Sequence, residues 1–172
     1  MSKLVVAEIE NAAGANPYSI SLGTATATTS GTTILFEDIP SGTKRIVMTV
    51  SDFSTNSTSA PLLQLGDAGG IEAAGYAGVT GHNSGIALSS TAGMAFASSI
   101  VAAGTFQLFF TISLVNASTF TWVGMGGSAR TDSANGEWAL CKKSLTAELT
   151  QVRLTTASAD TFDAGTVNIQ FQ

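Results

Sequence analysis

Few side chains in this sequence can do chemistry, and their spacing limits what they can do. One cysteine, Cys141, and one histidine, His82, stand among 172 residues. A disulfide within the chain and a multi-cysteine zinc site are thereby excluded. A thiol–imidazole pair would need folding to bring positions 141 and 82 together. Serine is abundant, but no Gly-x-Ser-x-Gly elbow occurs. There are twelve acidic residues, and cleaving a glycoside needs two carboxyls about 5–10 Å apart across a cleft. Glu37 and Asp38 are adjacent, so in a strand they point to opposite faces. Asp132 and Glu137 flank Asn135-Gly136 and read as a solvated hairpin tip. Asp160 and Asp163, close to Gly165, read as a turn before the last strand. Asp67 and Glu72, with nearby carbonyls, have the oxygen chemistry for a hard cation, but the spacing of a calcium loop is missing. Gly124-Met125-Gly126-Gly127-Ser128 lacks the lysine of a phosphate loop and reads as a bulge or turn ending a strand. No catalytic residue, metal ligand or cofactor is assigned, and the expectation is a protein that is not an enzyme.

Binding is the more promising chemistry. Tyr76, Trp122 and Trp138 are rings that can stack on sugar faces, and His82 in Gly81-His82-Asn83-Ser84-Gly85 reads as an exposed loop residue. These four form the candidate surface-binding set. Trp122 and Trp138 are expected on neighbouring antiparallel strands joined near Ser128–Gly136. The competing reading makes both tryptophans core or interface residues.

The elements that must position these residues are strands. Thr32–Glu37, Lys44–Phe53, Pro61–Leu65, Phe106–Val115, Thr119–Met125, Gly136–Lys142 and Thr166–Phe171 carry the signal. In Phe106–Val115 (FQLFFTISLV), Phe106, Leu108, Phe110, Ile112 and Leu114 fall on one face, and Trp138 and Leu140 fall together. Such alternation buries one face of an antiparallel sheet. Eight to ten strands joined by small-residue turns imply an all-β, antiparallel two-sheet sandwich, jelly-roll-like, over residues 24–172. Ser144–Arg153 reads either as a short helix through Leu145, Leu149 and Val152 or as a strand. Residues 66–104, rich in glycine, read as a long loop excursion with short strands near Ile86–Leu88 and Met94–Ala97. Residues 1–23 read as an N-terminal arm: an apolar strand with Leu4, Val6 and Ile9, then a turn-rich linker. Those three residues are the candidate attachment or oligomer contacts, docking on their own domain or on a neighbouring chain.

Composition excludes several classes. Half of the residues are Gly, Ala, Ser or Thr, charged residues are 11% and the net charge is −5. The mean hydropathy is +0.30. Disorder needs the opposite balance. No run approaches the ~18 apolar residues of a membrane helix. Seven basic residues scattered among the acids make no nucleic-acid face. The start of the chain has no apolar signal region, so synthesis in a cytoplasm with a reduced thiol is expected.

Several blocks resemble a module of tailed-bacteriophage virion appendages. They are Ile39–Ile46, Ser54–Ser59, Leu63–Glu72 with its LGDAGGIE core, Gly75-Tyr76 and Asp160–Ile169. The resemblance implies a concanavalin-like or jelly-roll sandwich, assembly as a homotrimer, a position on the virion exterior after synthesis in the bacterial host, and contact with other virion proteins. It implies a tail-fibre type appendage for host attachment. A capsid decoration protein that cements the head, and a module binding host cell-surface glycan, are the alternatives. Neither nucleic acid nor membrane is an expected partner.

Overall fold

Apolar alternation becomes burial in the two longest strands. The computed structural model describes residues 20–82 and 85–172. Leu4, Val6 and Ile9 therefore lie outside the described residues. In β4 (Arg45–Thr55), Ile46, Met48 and Val50 are buried while Arg45 and Thr49 are exposed. In β10 (Phe106–Asn116), Phe106, Leu108, Phe110 and Ile112 are buried, as their shared parity requires.

Fourteen strands are described, all paired antiparallel, in two sheets packed as a sandwich. The remaining strands are β1 (Ser21–Leu22), β2 (Thr26–Ala27), β3 (Thr33–Phe36), β5 (Pro61–Asp67), β6 (Gly70–Ile71), β7 (Ala77–His82), β8 (Gly85–Ser90), β9 (Met94–Ala95), β11 (Thr121–Arg130), β12 (Asn135–Ser144), β13 (Gln151–Thr156) and β14 (Phe162–Phe171). The larger sheet has nine strands in the order β1-β14-β4-β10-β11-β12-β7-β8, with β2 also on β14. The smaller sheet has five, in the order β3-β13-β5-β6, with β9 on β5. Four strands have only two residues; without them the number matches the alternation count. Between the sheets lie Met48, Phe110, Ile112, Trp122 and Ile169 of the larger and Leu63, Leu65, Val152 and Leu154 of the smaller. Edge-on ring pairs, Phe53–Phe162 at 5.2 Å and Phe96–Phe110 at 5.5 Å, belong to the same core.

Three readings need correction. Residues 66–104 are strand over about half of their length: the short strands expected near Ile86–Leu88 and Met94–Ala97 are present as β8 and β9, but β7, read as loop, pairs with β8 in a hairpin that extends the larger sheet beyond β12. Several of the glycines that suggested a loop sit under neighbours, whereas Gly70 and Gly85 take positive φ in open space. A Cβ on Gly78 would lie 2.7 Å from Cys141 Sγ, and one on Gly81 would collide with the Trp138 ring. Ser144–Arg153 is neither a helix nor one strand. Residues 145–150 cross irregularly between the sheets, with Leu145 and Leu149 buried, and β13 starts only at Gln151. Gly124–Ser128 does not end a strand. It lies inside β11, where a Cβ on Gly124 would stand 2.5 Å from Ile112 Cγ2 and one on Gly126 2.5 Å from Phe110 Cδ2.

Candidate functional site

Two features stand out: a polar clamp inside one end of the sandwich and an apolar face outside it. The clamp is built from the LGDAGGIE block. β5 and β6 form a tight hairpin in which Asp67 accepts from the Gly69 N–H at 2.8 Å, and Gly70 takes a φ of 113° open to glycine. The other Asp67 oxygen accepts from the Thr146 hydroxyl at 2.6 Å. Glu72 accepts from the Thr146 N–H at 2.8 Å and pairs with Lys143. Lys143 sits on the inward face of β12, donates to the Ala74 carbonyl at 2.9 Å and lies 5.2 Å from the Tyr76 ring centroid. The Tyr76 hydroxyl donates to the Glu72 carbonyl at 2.9 Å and accepts from the Leu65 N–H at 2.7 Å. The network ties the β5–β6 hairpin to the crossover between β12 and β13.

Its electrostatics follow from these contacts. The Thr146 hydroxyl and the Gly69 N–H hold the Asp67 carboxyl below its ordinary value despite burial. Burial works against the Glu72 carboxylate, but the bond from Lys143 and those from Thr146 outweigh it and keep its pKa lowered. Burial pushes the Tyr76 phenol strongly up. The two carboxylates considered for a hard cation thus spend their oxygens on protein donors. Among the described residues, no group of three His, Cys, Asp or Glu is placed to hold a metal ion.

The other candidate pairs are drawn apart. Asp132 forms an ion pair with Arg130, its second oxygen accepting from Arg130 at 2.8 Å. Asn135-Gly136 is not a turn but the start of β12. From that strand Glu137 accepts from the N–H and the hydroxyl of Ser98 at 2.7 and 2.9 Å. Asp160 accepts from the Ser59 N–H at 3.0 Å. Cys141 faces the core, where burial pushes its thiol up to about 11. It lies across from Gly78, four residues along β7 from His82, a separation of about 13 Å in a strand. His82 is exposed where the β7–β8 hairpin turns.

The expected aromatic platform does not form. Trp122 and Trp138 do occupy neighbouring strands, β11 and β12, but on opposite faces of the sheet. Trp122 pairs with Lys143 and is buried, whereas Trp138 pairs with Gly127 and is half-exposed. Tyr76 is buried in the clamp. Tyr76, in the segment just before β7, and Trp122, on the inward parity of β11, are interior residues rather than surface candidates, for Trp122 as the competing reading has it.

Trp138 belongs instead to an apolar outer face of the larger sheet. One row across the strands reads Phe109, Gly127, Trp138, Gly81, Ile86; the next reads Thr111, Met125, Leu140, Val79. Val123, beside Lys142, extends it. A groove of about 670 Å³ runs over this face past Val79, Ser89, Val123, Leu140 and Lys142. Phe109, Val123, Met125 and Ile86 escape a reading that assigns each strand one apolar parity. The signal was that β11 carries Val123 and Met125 on the parity opposite Trp122, and β10 carries Phe109 on the parity opposite its main apolar row.

Comparison of the chain with protein-family models, with curated proteins and with solved structures finds no match.

Proposed function

We propose that this chain is a non-enzymatic structural protein of a tailed-phage virion, a homotrimeric surface appendage of tail-fibre type carried by its N-terminal arm, residues 1–23, whose end is tied to the sandwich where Ser21–Leu22 pairs with β14. One observation carries the reading. The polar side chains that could have made a reactive site are committed to the protein's own hydrogen bonds, while the largest unsatisfied surface is an apolar sheet face. Exposed apolar patches of this kind are characteristic of contact with other macromolecules. The resemblance of the Ile39–Ile46, Leu63–Glu72 and Asp160–Ile169 blocks to virion appendages supplies the setting. The LGDAGGIE block is the hairpin of the clamp, so what it contributes is a rigid sandwich end.

The test is electron microscopy of particles from the source, labelled with gold-conjugated antibody to this protein. Label at the tail tip supports the appendage and its role in host attachment. Label spread over the head would replace it with a decoration protein that cements the capsid. Particles that carry no label would overturn the virion reading.

A further inference from the structure

We infer that the outer face of the larger sheet, centred on Met125, Trp138 and Leu140, is where a second copy of this chain packs. The inference deepens the structural reading above by giving its assembly a contact surface. Phe109, Val123, Met125, Trp138, Leu140 and Ile86 are between 42% and 69% exposed. Together they present roughly 600 Å² of apolar surface, at the top of the ~300–600 Å² range of the largest patch on an ordinary monomer. With the rim of Thr111, Ser113 and Lys142 the face approaches the ~800 Å² per partner of a standard interface.

Charge selects the occupant. The chain carries a net charge of −5, so copies repel one another in general. The outward positions of β7, β10, β11 and β12 nevertheless hold no carboxylate. Asp52 stands beyond the patch, bonded to Gln107 at 2.9 Å. A face turned toward a two-fold axis meets itself, and around a three-fold axis one flank of it meets the other flank of the next copy; with no carboxylate on either flank, this one can do so without setting acid against acid. Relief also fits. The Trp138 ring lies over Gly81, so the largest side chain of the face lies along the sheet and leaves room for side chains of a second sheet to interdigitate. A sugar would need hydrogen-bonding side chains beside the ring, and the residues paired with Trp138 are Gly127 and Gly81.

The test is sedimentation velocity of the purified full chain across roughly 1–100 μM, on wild type, Met125→Glu and Leu140→Glu. The wild type is expected to be an oligomer, and each variant to weaken assembly roughly 100-fold by burying an unpaired charge at the contact. A second measurement needs no variant. Trp122 is buried and Trp138 half-exposed, so acrylamide quenching of wild-type fluorescence should increase on dilution as Trp138 is uncovered. A wild type that stays monomeric throughout, or variants that assemble like wild type with quenching independent of concentration, would overturn the inference. So would a glycan that binds monomeric wild type and is lost in Leu140→Glu. Sedimentation gives its answer whether or not particles label with the antibody: a monomer would remove the contact surface and the trimer, and leave the place on the virion to the labelling.

Discussion

At the scale of single residues, the consequential pair is Lys143 and Glu72. The Lys143 side chain is 5% exposed and that of Glu72 21%, so the two ends of the ion pair differ in access to water. Removing the carboxylate strands a buried ammonium with only the Ala74 carbonyl and the Tyr76 ring. Removing the ammonium leaves a carboxylate that water can still reach. Glu72→Met is therefore expected to cost about 2–4 kcal/mol and Lys143→Met less, in urea unfolding followed by circular dichroism. Equal costs would mean that the pair is hydrated alike at both ends. Acid acts on the same network. The folded-state pKa values of Asp67 and Glu72 lie below 3.8 and 4.5. Their stabilisation is thus fully present above those values and is lost as pH falls through the lower folded ones. The melting temperature should drop steeply below about pH 4, and the drop should be shallower in Asp67→Asn, which has one fewer proton to take up.

At the scale of elements, β11 is the most constrained strand, because its glycines are there for lack of room. A Cβ on Gly126 would collide with the Phe109 carbonyl oxygen, which is backbone and cannot swing aside, as well as with the Phe110 ring. Gly126→Ala is expected to destabilise by about 3 kcal/mol, a fall of roughly 6–12 °C in melting temperature for a domain of this size. Gly136→Ala, whose Cβ would meet only the Ser128 carbonyl at 3.1 Å, should stay within about 1 kcal/mol. The same strand shows what the sequence could and could not tell. Alternation exposed β4, β10, β12 and β14 because one parity is large and apolar and the other is not. It misjudged Gly124–Ser128 and residues 66–104 because a glycine required by a close neighbour looks identical to one required by a turn. The clamp was hidden for a related reason. Asp67 and Glu72 were visible as acids, but their partners Thr146 and Lys143 lie some seventy residues later, and no local pattern announces a contact that only the topology makes. Trp138 and Leu140 were seen to share a parity; which side of the sheet that parity faces depended on where the second sheet packs.

At the scale of the whole molecule, the sandwich closes only when the last strand arrives. β14 pairs with β1, β2 and β4, so Leu22 stands opposite Gln170 and Thr26 opposite Val167. Contacts spanning nearly the full chain carry a large loop-closure cost before any burial repays it, which places folding in the millisecond-to-second range of non-local β proteins. β14 also delivers Phe162, Val167 and Ile169 to the core. At about 2 kcal/mol each they contribute around 6 kcal/mol, comparable with the whole ~5–15 kcal/mol by which a domain is stable. Their loss would also bare Met48 and Val50 along β4. Deleting residues 162–172 should therefore leave a chain without a cooperative melting transition. Deleting residues 1–16 touches none of the described pairings and should leave the melting transition in place while abolishing attachment to particles. If the second truncation also melted non-cooperatively, the arm would be part of the sandwich's stability rather than its anchor. If it bound particles like the full chain, attachment would have to come from the sandwich, and the outer face of β10, β11 and β12 would be the first surface to test.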